Sequence, residues 1–527
     1  MPDYDYIIIG AGSAGCVLAD LLSADPRHRV LVLEAGGPDR HFWVKMPLGY
    51  AYAHIDPRIT VNCGTEPDTG LAGRRSAWPR GRVVGGCSSI NAMAYMRGLP
   101  FDFEDWAASG ATGWDWSAVS AVYDRLEAKG GHTRSGVIHI SDLSQQMHPF
   151  SDAFLRAAQD IGWPVLEDLN TGAAGIGYYR STIRNGRRWS AADAFLRPAL
   201  KRGRVRLETR AKVTRIEIAN GIAQGVTYRQ HGQMLRANAR REIILSAGAI
   251  HSPQILQLSG IGPGALLQTH GIPVQNALPE VGRGLQDHLA VSYSFTARPE
   301  TLNARLGTLS GRLTAGMQYL AMRSGPLAVP VNQVGGYIAS QGAPRPDTQI
   351  YCNPMLYSYG PKGPEVTRAS GYILCAQPCR PGSRGEIRII SPSADDEPGI
   401  WPNSLSTEAD CRNVIQAGRL LQRLARSDTL MRARRAAIGP DLLRLNDDML
   451  LEDFRARAAT VFHPSCTCRM GNDPAHSVLD ARLRVHGTDR LRVVDASAFP
   501  NITSGNTNAP TMMLAARAAE LILADRN

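Results

Sequence analysis

The feature that most constrains this chain lies within its first 34 residues. A short apolar run, Tyr4 to Ile9, leads without a break into Gly10-Ala11-Gly12-Ser13-Ala14-Gly15, then into a helical pattern from Cys16 to Ser23. A second strand-like run, Arg29 to Leu33, follows and ends on Glu34. In a strand–turn–helix–strand unit of this kind each glycine has its own task. Gly10 permits the tight turn, Gly12 lets the backbone approach a pyrophosphate, and Gly15 lets helix and strand pack closely. Free N–H groups and the dipole at the helix N-terminus favour the phosphates. Glu34 lies 24 positions after Gly10, where a carboxylate accepts hydrogen bonds from ribose hydroxyls and repels a 2′-phosphate. The motif therefore disfavours NADP and leaves FAD and NAD open. The bland alternative is a glycine-rich turn in an ordinary βαβ unit.

Further along, Arg80-Gly81-Arg82-Val83-Val84-Gly85-Gly86-Cys87-Ser88-Ser89-Ile90-Asn91 makes a second loop of small residues that exposes backbone. Helical pieces are expected at Phe101 to Ala108, Trp116 to Ala128 and Phe150 to Ile161. From Arg204 to Gln230 apolar and polar residues alternate around Asn220-Gly221, which reads as a β-hairpin. Glu242 to Leu245 is another buried strand. Ser252-Pro253 reads as an N-cap and first helical position opening a helix toward Leu258. Near the C-terminus Leu491 to Val494 repeats the pattern of a strand ending in an acid, Asp495. It is followed by a polar loop and a long helix from Pro510 to Leu523, in which the Met512-Met513-Leu514 run faces the core. Nucleotide-binding features thus stand at both ends of the chain, and one domain is assembled from discontinuous pieces.

Charge narrows the partners. The net charge of +11 comes from 58 basic and 47 acidic residues, with only five lysines, so arginine carries the excess. Its densest stretches, Lys201 to Arg241 and Arg419 to Arg435, are interleaved with apolar residues and read as solvated faces, not as a nucleic-acid stripe. Nine cysteines form no paired framework, which suits a reducing compartment. With neither a cleavable leader nor an 18-residue apolar run, the expectation is a cytoplasmic protein without a membrane span.

Taken together, the GAGSAG loop with Glu34, GRVVGGCSSINAMAYMRG at Gly81 to Gly98, GAIHSPQILQLSGIG at Gly248 to Gly262, GRGLQDH at Gly282 to His288, HPSCTCRMG at His463 to Gly471 and VVDASAFPNITSGNTNAPT at Val493 to Thr511 resemble the glucose–methanol–choline (GMC) family of FAD-dependent oxidoreductases. Within it the chain resembles the bacterial alcohol, sorbose and choline dehydrogenase branch more than the fungal glucose oxidases. The resemblance implies an α/β fold in which a Rossmann-type FAD domain (1–98, 201–290 and 456–527) interleaves with a substrate domain built on an antiparallel sheet flanked by helices (99–200 and 291–455). It places cofactor contacts on Gly10, Gly12, Ser13, Ala14, Gly15, Glu34 and Ala35. In the second loop they fall on Arg80, Gly81, Val84, Gly85, Gly86, Ser89, Asn91, Ala92, Met93 and Ala94. Farther along they fall on Val213, Ala247 and Gly248, and on Asp495, Ala496, Thr507 and Asn508. Where some members attach the flavin to a histidine, this chain has Ile90, which has no nucleophilic nitrogen, so the FAD is expected to be dissociable.

The family's catalytic histidine falls on His463 and its second active-site residue on Asn506. An alcohol donates hydride well only as its hydroxyl proton leaves, which calls for a base whose pKa is near the working pH. His463 is expected to take that proton while hydride passes to flavin N5, with Asn506 orienting the substrate oxygen. His288 and His251 read as loop-anchoring hydrogen-bonders. Cys466 and Cys468 with His463 lack the second ligand pair of a zinc site, and no metal is expected. The expected activity is oxidation of a neutral primary alcohol, with a quinone-like acceptor. An O2-using oxidase, a sugar, polyol or choline dehydrogenase, and a hydroxynitrile lyase are the alternatives. A quaternary ammonium substrate calls for an aromatic cage. The stretches Pro326 to Tyr337 and Tyr351 to Tyr359, expected to line the substrate site, offer no carboxylate.

Overall fold

The computed structural model describes residues 4–127, 138–360 and 363–525. Its first sheet grows from the N-terminal motif. Strand β1 (Tyr4–Ile9) is buried at every position, as a central parallel strand covered on both faces must be. Helix α1 (Ser13–Leu22) returns over it to β2 (Val30–Glu34). Five further strands complete the unit: β3 (Val205–Thr209), β4 (Ala211–Ala219), β5 (Ile222–Gln230), the 13-residue β6 (Gln233–Leu245) and Leu491–Val493. The parallel order is β3-β2-β1-β6, with Leu491–Val493 beyond β6.

Strand β6 pairs with three strands, Leu491–Val493 among them. Its second half pairs in parallel with β1, Ile7 opposite Ile243, while its first half pairs antiparallel with β5. Asn220 and Gly221 both adopt positive φ (52° and 75°), the geometry of a two-residue hairpin turn expected from the Asn-Gly pair. His231 and Gly232 repeat it (50° and 79°) between β5 and β6.

A second, antiparallel sheet runs Arg434–Ile438, Leu289–Ala297, Gly371–Pro378, Thr348–Asn353, Val334–Ile338, Gly175–Tyr178. Helices Phe150–Asp160 and Glu408–Ala425 cover one face, packing Phe154, Leu421 and Leu424 against Phe295, Ile350 and Leu374. The strand Leu289–Ala297 begins directly after His288, and Leu289 pairs with Thr460, three residues before His463. The junction between the two sheets therefore carries both histidines. The mixed α/β architecture expected from the sequence is the one found.

The helical pieces fall at Pro100–Ala108, Trp116–Leu126 and Phe150–Asp160; Ala128, expected to end the second, lies outside the described residues. One boundary needs correcting. The helix assigned to begin at Ser252-Pro253 spans Gly248–Leu258, with Pro253 inside it. Its N-terminus is held by a residue remote in sequence: Asp495 Oδ2 accepts from the Gly248 N–H at 2.8 Å and from Ser252 Oγ at 2.6 Å. Proline at position 253 leaves the carbonyl of Ala249 without its helical donor. Thr467 Oγ1 donates to that oxygen at 2.6 Å. Among the described residues no helix is long and apolar enough to cross a membrane.

Candidate active site

The glycine loops meet backbone to backbone. The Gly85 N–H donates to the Ala11 carbonyl at 2.7 Å and the Val84 N–H to that of Gly37 at 3.0 Å. Gly86 has φ +52°, and a Cβ on it would sit 2.7 Å from the Cα of Gly12. A Cβ on Gly15 would lie 1.9 Å from the Gly10 carbonyl oxygen, and one on Gly81 would lie 2.4 Å from that of Gly86. No side chain caps the first turn of α1, and no acid stands in it. Its N–H groups are available to an anion.

Around these loops the other expected contacts assemble. Glu34 is buried, which pushes its carboxyl up, while the N–H groups of Gly36 and Ala11, each at 2.8 Å, favour the charged form. Ser13 Oγ donates to Asn508 Oδ1 at 2.7 Å, joining the first loop to the last helix, Asn508–Ala524, whose N-cap is Thr507. Burial likewise raises Asp495, which binds Ser252, Ser497 and Gly248; Ala496 follows it, and Ala247 precedes Gly248. Asn91 Oδ1 accepts from the Met93 N–H at 3.1 Å and from Arg188 Nη1 at 2.7 Å. Met93 takes a positive φ of 63°, and Ala94 bridges to Ser181. Ser89 Oγ closes the second loop on the Val84 carbonyl at 2.8 Å, and Ala92 packs beside a cluster containing Tyr50. Val213 is carried by β4 opposite Tyr228, and Ala35 is solvent-exposed beyond Glu34. Ile90 is buried in a small apolar cluster with Val44 and Val83.

His463 and Asn506 come together, with Asn506 Nδ2 3.2 Å from His463 Nε2. The other ring nitrogen, Nδ1, lies 3.0 Å from Nδ1 of His288, and His288 Nε2 lies 2.7 Å from the Cys379 carbonyl oxygen. The tautomers follow from that carbonyl, which only accepts. His288 carries its proton on Nε2, its Nδ1 accepts, His463 donates from Nδ1, and His463 Nε2 keeps a lone pair toward Asn506. Burial, then His288, then the charge of Arg80 hold His463 well below the ordinary histidine value. Burial brings His288 down to about 4. Arg80 Nη2 donates to the Phe462 carbonyl at 2.8 Å, and Asp287, pushed up to about 6 by burial, accepts the His463 N–H at 2.8 Å.

Sequence reasoning assigned His288 to anchoring its loop. It does bind a carbonyl, but its second nitrogen faces His463, and Asp287 beside it was not singled out. The signal was the -Gln-Asp-His- end of the GRGLQDH motif: two adjacent titratable residues immediately before a buried strand. The substrate-side stretch also reaches the site. The Tyr337 hydroxyl lies where a Cβ on Gly505 would be (1.9 Å), so the second sheet sits against the residue preceding Asn506. Tyr50, His54 and Phe462 form a run of edge-to-face ring contacts ending next to His463.

Two loops that only glycine lets approach, an uncapped helix N-terminus and a ribose-type carboxylate fit a dinucleotide, and a neutral histidine–asparagine pair at the sheet junction fits proton transfer. Fold and site together fit a dinucleotide-dependent enzyme with a proton-transfer site. Comparison with known proteins makes this specific. The GMC oxidoreductase family profile matches residues 4–290 and 381–515. The chain is 38% identical to an alcohol dehydrogenase [acceptor] of Pseudomonas putida over 99% of this chain and 96% of that protein. It is 40% identical to human mitochondrial choline dehydrogenase over 99% and 90%. Among solved structures, pyridoxine 4-oxidase from "Mesorbium loti" superposes with a TM-score of 0.88 at 30% identity, covering 98% of this chain and 99% of that one. The chain belongs to the GMC oxidoreductase family and is an FAD oxidoreductase acting on CH–OH donors.

Proposed function

We propose that this enzyme oxidises a neutral primary alcohol to its aldehyde and passes the electrons to a quinone-like acceptor, with FAD held non-covalently. The observation that carries the reading is the hydrogen-bond chain from Cys379 through His288 to His463, which leaves an unprotonated Nε2 beside Asn506. A substrate hydroxyl that takes the place of this direct contact finds Nε2 as acceptor and Asn506 Nδ2 as donor. His463 takes the hydroxyl proton, which raises electron density at the α-carbon. The flavin, when bound, supplies the hydride acceptor. Asn506 holds the substrate oxygen as charge develops on it.

Several residues support the cofactor assignment. The Gly12–Gly86 contact and the free first turn of α1 suit the pyrophosphate, Glu34 the ribose, and the loop from Ala92 to Ala94 with Thr507 and Asn508 the flavin end. At Ile90 an aliphatic side chain replaces any group able to bond covalently to the flavin. The stretches 326–337 and 351–359 contain no Asp or Glu, which favours a neutral substrate over choline. The likeness to pyridoxine 4-oxidase favours a second reading of the acceptor, in which O2 reoxidises the flavin. Anaerobic mixing of the holoenzyme with a panel of alcohols tests the reaction: primary alcohols bleach the flavin, and readmitted air or a quinone identifies the acceptor. A flavin that no alcohol reduces would overturn the proposal.

A further inference from the structure

Away from the histidine pair, three residues distant in sequence bring different ligand atoms to one point. Cys63 lies on the strand Thr60–Gly64, His251 in the first turn of the helix Gly248–Leu258, and Glu397 in the loop after the strand Gly385–Arg388. His251 Nε2 is 3.0 Å from Glu397 Oε2, Cys63 Sγ is 3.6 Å from the same oxygen, and all three ligand atoms lie within 4.8 Å of one another. A tetrahedral zinc site, with bonds of about 2.0–2.3 Å, places its ligand atoms roughly 3.3–3.8 Å apart. The Cys63–Glu397 separation already falls in that range and the His251–Glu397 separation lies just below it.

The geometry points to a three-ligand zinc site formed by Cys63, His251 and Glu397, with a fourth position open to water. Thiolate, imidazole and carboxylate suit zinc, whereas calcium and magnesium take oxygen ligands. A thiolate and a carboxylate together neutralise a divalent ion. Cys63 is fully buried, while the side chains of His251 and Glu397 are 26% and 38% exposed, so solvent reaches the open position from their side. The loop carrying Glu397 is held from outside the cluster. Asp395 is bound by Arg229 Nη1 at 2.7 Å, and the Asp396 carbonyl accepts from Gln254 Nε2 at 2.7 Å. Such outer contacts fix ligands in place before a metal arrives. A bound ion would tie together three segments that are separated in sequence by 146 to 334 positions.

The test uses tag-free holoenzyme, stripped with a chelator and titrated with zinc chloride in a calorimeter, with cobalt(II) chloride as the spectroscopic probe. One zinc binds per chain. Cobalt gives intense tetrahedral ligand-field bands to the red of the flavin absorption, with a thiolate charge-transfer band. Cys63→Ser abolishes that band, and His251→Gln and Glu397→Gln each weaken zinc binding at least about tenfold. Cys411→Ser, at a cysteine remote from the cluster, changes nothing. Circular dichroism and flavin content show that each variant is folded, and the conservative Glu397→Asp retains binding if another variant misfolds. Absence of saturable binding, a weak octahedral cobalt spectrum, or affinity unmoved by His251→Gln and Glu397→Gln would overturn the proposal.

Discussion

Nδ1 of His288 lies 3.0 Å from Nδ1 of His463. Two imidazole nitrogens at this separation share one proton, and the Cys379 carbonyl behind His288 decides which ring donates it. The role this gives His288 is positional: it holds His463 in the tautomer whose Nε2 lone pair faces Asn506. Replacing His288 with leucine removes the acceptor and frees the other tautomer. The rate of flavin reduction should fall about tenfold to a hundredfold with little change in alcohol affinity, against about 10²–10⁴-fold for His463→Ala. His288→Asn, whose Oδ1 accepts near the position of Nδ1, should recover part of the loss. Equal rates for His288→Leu and the wild type in anaerobic stopped flow would remove His288 from the mechanism.

The pH dependence follows from the same environment. Burial, His288 and Arg80 all disfavour the imidazolium, so His463 titrates well below 6.5 and is already neutral at pH 7. A base that must be unprotonated gives a rate that is level at high pH and falls as pH drops through its pKa. Flavin reduction should therefore be flat from pH 7 to 9 and decline on the acid side of 6.5. Arg80→Gln, which removes one of the disfavouring charges, should move the midpoint upward. A midpoint above 7 in the wild type would contradict the burial argument.

Asn506 offers the only side-chain hydrogen bond found on His463 Nε2 among the described residues. Asn506→Ala removes a donor from the substrate oxygen, and the expected loss is about a hundredfold in flavin-reduction rate. Flavin content should not change, since Ser13 and Asn508 still join the loop to the helix. An unchanged reduction rate would reassign Asn506 to packing.

How much of this was legible beforehand depended on whether the relevant forces are local. The β1–α1–β2 unit and the Asn220-Gly221 turn are written in short windows, where strand burial and positive φ leave few choices of residue. The start of the helix at Gly248 was misread because its true cap, Asp495, lies 247 residues away, so the nearest local cap, Ser252, was taken instead. His288 was recognised as a hydrogen-bonder, but its partner is 175 positions along the chain, a distance no spacing rule covers. The Cys63–His251–Glu397 cluster was unreadable for the same reason, since no two of its members share a motif.

Ile90 makes the mode of flavin attachment testable. Its side chain is buried against Val44, Val83 and Trp43 and itself offers no nucleophile. Precipitation of the holoenzyme with acid should leave the yellow colour wholly in the supernatant and a colourless pellet. A pellet that keeps flavin absorbance after washing would show a covalent bond formed through another residue.

Gly86 tests the cofactor cradle without touching any catalytic group. With φ +52° and a would-be Cβ only 2.7 Å from the Cα of Gly12, alanine at this position must push the two loops apart, because the clashing atom is backbone and cannot rotate away. Overpacking of this kind costs about 1–3 kcal/mol. If the strain falls on the loop contact that holds the pyrophosphate, it corresponds to an FAD affinity weaker by roughly tenfold to a hundredfold. Gly86→Ala should therefore purify with less flavin and regain activity when FAD is added in excess, its reduction rate once loaded staying close to that of the wild type. Full flavin content at wild-type affinity would mean that the two loops do not close on the cofactor together.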